Sequence, residues 1–194
     1  MHKVILASGS PRRKELLSQA NIDFCVCPSA YEEQITDSIP SNVVMALAKG
    51  KAAWVADRIL LPTDDRVVLG ADTVVVYDGK ILGKPKDMQD ARRMLRMLSG
   101  HTHQVYTGVC MIRRVKGEQM VHTFFEKTDV HMYEITDAQI DAYIETKEPL
   151  DKAGSYGIQG LGGVFVSGIS GDYNNVVGLP LAKVWQYLYT IAQE

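Results

Sequence analysis

Cysteine is scarce, with Cys25, Cys27 and Cys110 the only three in 194 residues. Their spacing fits neither a disulfide framework nor a zinc site, so the fold must rest on a packed core. Cys25 and Cys27 alternate along a strand-like stretch and are expected to share a face and pack inside. No apolar run approaches the length of a membrane span, and the chain enters a strand without a signal-peptide pattern, so the cytoplasm is the expected compartment. Surplus positive charge is missing too: a net charge of −2 cannot neutralise a nucleic-acid backbone. Any local basic cluster must therefore serve something small. Repeats, low-complexity tracts and linkers are absent. What is present, 46% hydrophobic and 23% charged residues, is the composition of a globular protein with a real core.

The most informative stretch is Val4–Leu17, VILASGSPRRKELL. An apolar run feeds a small-residue turn, Ala7-Ser8-Gly9-Ser10, and Pro11 opens a helix with Leu16 and Leu17 on its buried side. Ser10 suits the N-cap and Pro11 the first helical position. Arg12 and Arg13 follow in the first turn, where the helix already carries partial positive charge, at a cost of roughly a few tenths of a kcal/mol each. An anion resolves that conflict. Exposed N–H groups, the Ser8 and Ser10 hydroxyls and two guanidinium forks make a phosphate cradle; a solvated arginine pair is the plainer alternative.

Further along, Asp23–Pro28 reads as a short strand, and Ser41 as the cap of a long helix with Val44, Leu47, Ala48 and Val55 at helical spacing. Within it, Lys49 and Lys51 lie about 200° apart around the axis, so at most one can enter a given site. Gly50 between them costs about 1 kcal/mol relative to alanine, which asks for close packing or a ligand. Val67–Tyr77 is the most strand-like stretch and turns at Asp78-Gly79 into Ile81-Leu82, with Gly83-Lys84-Pro85 ending that strand. Asp87 caps a helix whose apolar stripe is Ala91, Met94, Leu95 and Leu98, stopped by Gly100. Two long strands, His101–Val115 and Glu118–Tyr133, join at Lys116-Gly117. Thr136 and Gln139 fit a capping box. A glycine-rich segment, Asp151–Gly163, precedes a second expected hairpin of Val164–Ile169 and Tyr173–Val177. A last helix from Pro180 turns Leu181, Val184, Trp185 and Leu188 inward. This order is mixed α/β with antiparallel hairpins.

Asp72 interrupts the apolar strand, and an ionised carboxylate there needs a partner or a metal. It is the candidate general base, against the plainer reading of a turn cap. Gly70-Ala71 before it allow close approach to the backbone. Glu32 and Glu33 in a polar stretch, and Lys84 held between Gly83 and Pro85, could be merely solvated. Together with the cradle they supply what a nucleoside triphosphate needs: cations for phosphate, carboxylates for Mg²⁺ and a base for water. Mg²⁺ typically takes one or two protein carboxylates and completes its shell with substrate oxygens and water, so no separate cage is expected. His101, His103, His122 and His131 read as sheet-surface residues. The Asp151–Gly163 glycines fail the dinucleotide-fold pattern but suit a loop closing over a flat ligand. Gln159 in that loop offers the donor and acceptor that match a uracil or thymine edge, with a solvent-exposed loop glutamine as the plainer alternative.

ASGSPRR, GADT, GKP, DKAGSYGIQG and NVVGLPL, in that order and spanning nearly the whole chain, resemble the Maf family of nucleoside triphosphate pyrophosphatases. The resemblance implies an α/β fold over 1–194 as one domain: an elongated, twisted mixed β-sheet in two lobes, with flanking helices and a central cleft (Maf/ITPase-like), often a dimer. It implies hydrolysis between the α and β phosphorus atoms with a divalent metal, Mg²⁺ or Mn²⁺. Asp72 falls on the family's general base. Ser8, Arg12, Arg13, Glu33, Lys51 and Lys84 fall on its phosphate and metal residues, with Glu33 and Asp72 toward the metal. Arg12, Thr73 and Gln159 match the branch associated with dTTP and UTP. Gly50 departs from the commoner glutamate before the lysine. A nucleotide-binding regulator of septum formation, and a broader enzyme for modified nucleotides, are the competing expectations.

Overall fold

Val4-Ile5-Leu6 is buried along its whole length, as expected of a strand flanked on both sides and covered on both faces. In the computed structural model, which describes residues 3–35 and 37–193, this strand is β1 (Val4–Leu6), and it runs parallel to β2 (Phe24–Val26) and to β3 (Val67–Tyr77). The sheet has seven strands in the order β2-β1-β3-β5-β6-β7, with β4 (Lys80–Leu82) antiparallel to β3. β5 spans Thr102–Val115, β6 Glu118–Met132 and β7 Val166–Ser170, and β6 pairs β7 antiparallel. Helices flank this mixed sheet: α1 (Pro11–Gln19), α2 (Pro40–Ile59), α3 (Met88–Leu98), α4 (Asp137–Glu145), α5 (Tyr173–Val177) and α6 (Leu181–Ile191). The α/β class expected from the sequence is the one observed.

The chain divides into two compact units. The first comprises Met1–Asp72, Thr107–Glu126 and Gly178–Glu194; the second comprises Thr73–Tyr106 and Lys127–Val177. In the first unit, Ala48, Ala52 and Ala56 of α2 join Ile5, Val68, Cys110 and Ile112 in one core. The small side chains let the helix lie flat on the strands. In the second unit, α3 and α4 bury Leu95, Leu98, Ile140 and Ile144 with Val105, Val130 and Phe165. Both helices carry the caps read from the sequence. Asp87 accepts from the Asp90 N–H at 2.8 Å, and Thr136 and Gln139 form the reciprocal box.

Several local expectations are corrected. Ser41 does not cap α2: the cap position is Ile39 and Pro40 is the first helical residue, while Asp37 accepts from the Ile39 N–H at 2.8 Å. Tyr173–Val177 is helical, not a strand. Asp172 there accepts from the Asn174 N–H at 2.8 Å, and the buried Asn175 amide donates to the Val105 carbonyl and Thr128 Oγ1 at 3.0 and 2.9 Å. These polar ties outweigh the β preference of Tyr and Val. Cys25 is exposed and Cys27 half-buried, because β2 ends the strand order and the core covers it only in part. In α6, Leu181 and Trp185 are half-buried, and Ile191 joins Val184 and Leu188 inside.

His103 is the largest departure from the surface reading, being completely buried. Its Nε2 shares a 2.8 Å hydrogen bond with the Tyr156 hydroxyl, and its Nδ1 has no hydrogen-bond partner among the described residues. A second ring proton would therefore be buried without an acceptor. Burial first, and His131 second, pull its pKa to about 4. The unfolded chain, with an ordinary pKa near 6.5, then binds the proton more readily, so stability is lost as pH falls from about 6.5 toward 4. Between pH 7 and 5 that amounts to about 2 kcal/mol. Urea midpoints at the two pH values are expected to separate more for the wild type than for His103→Gln, which cannot titrate.

Candidate active site

The turn after β1 is wired by Ser8. Its Oγ accepts from the Ser10 N–H at 3.3 Å and from an Arg13 guanidinium N–H at 3.0 Å. Ser10 takes the N-cap position of α1 as expected, but its side chain makes no capping bond. The Arg13 Nε–H donates to the Gly178 carbonyl at 2.8 Å, so the guanidinium is held from two sides, by chain segments far apart in sequence. Desolvation lowers the Arg13 pKa and Arg12 adds to that, while Asp72 and Glu33 oppose it. Two carboxylates thus share the field of the doubled arginine in the first helical turn.

β3 is buried at every position from Val67 to Ala71 and then half-opens at Asp72 and Thr73. The Asp72 Oδ1 accepts from the Lys51 ammonium at 2.5 Å, and the same ammonium lies 2.7 Å from Glu33 Oε1. Lys51 and Asp72 are 16% and 13% exposed, against 53% for Glu33. Lys51 is therefore the lysine of the pair that turns toward Asp72 and Glu33, while Lys49 is exposed. Glu33, not Glu32, is the glutamate ion-paired there. Gly50 explains how. A Cβ on it would lie 2.4 Å from Cζ of Tyr31, so the ring rests directly on the helix and brings the Tyr31–Glu33 segment onto Lys51.

In the second unit Lys84 and Gln159 are both exposed, and Thr73 continues β3. The Gly83 carbonyl accepts from the Gly154 N–H at 3.1 Å, which ties the turn bearing Lys84 to the glycine-rich segment. That segment is wrapped around a carboxylate. Glu148 accepts from the Leu161 and Gly162 N–H groups at 3.0 and 3.3 Å and from the Tyr143 hydroxyl at 2.8 Å. Desolvation opposes its charge, but the Leu161 N–H, the Tyr143 hydroxyl, the Gly162 N–H and Lys152 together hold the Glu148 carboxyl below its ordinary pKa. A Cβ on Gly160 would stand 2.3 Å from Glu148, and one on Gly162 2.5 Å from the Tyr143 hydroxyl.

Comparison with protein families matches residues 3–191 to Maf-like protein. The chain belongs to the Maf-like family. It is 54% identical over 198 residues to the dTTP/UTP pyrophosphatase of Agathobacter rectalis, covering 97% of each chain. It is 56% identical over 185 residues to the dTTP/UTP pyrophosphatase of Bacillus cytotoxicus, covering 95% of this chain and 93% of that one. The protein of the same name from Bacillus anthracis is 53% identical with the same coverage.

Within this Maf-like chain, hydrogen bonds and ion pairs join Ser8 to Arg13 and Lys51 to Glu33 and Asp72. Arg12 is their neighbour in the field around Arg13. Among the described residues no group of three or more His, Cys, Asp and Glu could hold a metal. The hard oxygens of Glu33 and Asp72 nevertheless fit an ion that takes most of its shell from phosphate and water. Sequence reasoning missed Tyr31, the Gly178 carbonyl, Tyr143 and Glu148. Gly50 was the signal for Tyr31. The glycines of the Asp151–Gly163 segment were a signal too: a Cβ at Gly157, Gly160 or Gly162 would meet Lys152, Glu148 or the Tyr143 hydroxyl.

Proposed function

We propose that the chain hydrolyses dTTP and UTP between the α and β phosphorus atoms, giving the nucleoside monophosphate and pyrophosphate. The observation that carries this reading is the ion-paired Asp72 held beside Lys51, Glu33 and the Arg12-Arg13 turn. The full-length likeness to proteins named dTTP/UTP pyrophosphatase supports the choice of substrate. Ser8, Arg12, Arg13, Lys51 and Lys84 bind the phosphates. Glu33 and Asp72 are the residues that would hold Mg²⁺ or Mn²⁺, which when bound offsets charge developing on the phosphate oxygens. Asp72 accepts a proton from the water that attacks the α phosphorus, and pyrophosphate leaves. Arg12, Thr73 and Gln159 select the pyrimidine, the Gln159 amide donating and accepting along the base edge.

We read residues 1–194 as one catalytic domain of two lobes. No helix among the described residues is long and apolar enough to cross a membrane, and the three cysteines are free, in keeping with a reducing cytoplasm. The test is a panel of dTTP, UTP, CTP, ATP and GTP with Mg²⁺ or Mn²⁺, assayed separately for pyrophosphate and orthophosphate. Pyrophosphate from dTTP and UTP above the others is the expected result. Orthophosphate as the product, or equal turnover of purines, overturns it. No release at all would leave a binding regulator.

A further inference from the structure

Lys51 stands where a divalent ion would be expected. Its ammonium is 2.5 Å from Asp72 Oδ1 and 2.7 Å from Glu33 Oε1, bridging the two carboxylates assigned above to metal. With Lys51 in place the three side chains carry a net charge of −1; without it they carry −2. We propose that Lys51 is a resident cation that keeps Glu33 and Asp72 closed to free divalent ions until a triphosphate draws its ammonium away, so that the metal enters with the nucleotide. This rests on the site reading given above and adds the order of binding to it.

The surroundings suit such an exchange. The helix under Lys51 is fixed, because α2 touches the sheet backbone: a Cβ on Gly70 would lie 2.3 Å from the Ala48 carbonyl oxygen. Lysine carries its charge on a flexible four-carbon stem, and an ammonium is a point charge that binds carboxylate or phosphate alike. Arg13 cannot take over the same duty, since its guanidinium is held by Ser8 and the Gly178 carbonyl. A polyanion arriving at the arginine turn offers Lys51 more negative charge than it gives up. The two carboxylates, left without their counter-ion, then attract a divalent cation. Closure to free metal prevents Asp72 from being occupied before there is substrate to attack.

The experiment measures Mn²⁺ binding without nucleotide, by the loss of the free-ion electron paramagnetic resonance signal. Wild type and Lys51→Arg are expected to bind weakly, and Lys51→Met at least tenfold more tightly. That gain should disappear in the double variant Lys51→Met, Glu33→Gln. Lys51→Gln, which keeps a neutral polar group on Asp72, provides a second variant with a gain in the same direction if the methionine variant does not fold, as judged by circular dichroism. Equal Mn²⁺ affinity with and without the Lys51 charge, or a gain that survives loss of Glu33, overturns the proposal. Pyrophosphate release from UTP is read separately. A protein that releases it yet binds Mn²⁺ equally with and without Lys51 keeps its activity and loses this device.

Discussion

Asp72→Asn is expected to lower kcat for UTP by about 10²–10⁴-fold, roughly 3–5 kcal/mol of transition-state stabilisation, with the fold unchanged. Asparagine has the shape of aspartate and keeps an oxygen for the Lys51 ammonium, so β3 and its neighbours need not move. It removes the group that takes up the proton and half of the carboxylate charge facing Lys51. Because Glu33 still faces Lys51 at 2.7 Å, the ammonium is not abandoned without a counter-charge. The thermal midpoint is therefore expected to stay within a few degrees of wild type. The two measurements separate the roles. If the Lys51–Asp72 pair were only structural, Asn, which preserves its shape and its oxygen, would leave kcat as well as the midpoint nearly alone. A variant that folds and turns over UTP near the wild-type rate removes Asp72 as the base.

What could be read from the chain was whatever its signal lies within one element. The break in burial along β3 falls at Asp72 and Thr73, where the polar pair stands in the sequence. The caps at Asp87 and Thr136 and the stripe of α3 are likewise spelled out within a few residues. The arginine turn was legible because two cations at a helix start conflict locally. What was not legible depends on partners distant in sequence. His103 looked like a surface residue because nothing near it reveals Tyr156, 53 residues on. Tyr173–Val177 looked like a strand because the groups that bind Asn175, the Val105 carbonyl and Thr128, come from β5 and β6. Glu148 carries no motif of its own. Its importance appears only once Leu161 and Gly162 are seen to point their N–H groups at it.

Gly70 shows the same limit in a form that leads to a large effect on stability. Its lack of a side chain read as room for something to approach the strand beside Asp72, and something does: helix α2, with the Ala48 carbonyl oxygen and the Ala52 nitrogen 2.3 and 2.8 Å from where a Cβ would be. Gly108 on β5 meets the same helix, its Cβ position 2.2 Å from the Val44 carbonyl oxygen and 2.6 Å from the Met45 nitrogen. Alanine in a strand interior ordinarily gains about 0.5–1 kcal/mol over glycine from backbone entropy. Here the obstructing atoms are main chain and cannot rotate aside, so α2 has to lift from the sheet and loosen the Ala48, Ala52 and Val55 contacts of its core. Gly108→Ala is therefore expected to destabilise by about 3 kcal/mol or more, the upper end of overpacking costs, and to lower the thermal midpoint by about 10 °C for a chain of this size. Urea unfolding with an unchanged m-value, compared with Gly83→Ala, checks it. Gly83 has nothing within 4 Å of its Cβ position, and its variant should shift by no more than about 0.5 kcal/mol. Because Lys51 rides on α2, Gly108→Ala should also weaken UTP turnover in the fraction that remains folded. A stable, fully active Gly108→Ala protein would mean that the helix does not press on the strand there, and the fixed base assigned to Lys51 would go with it.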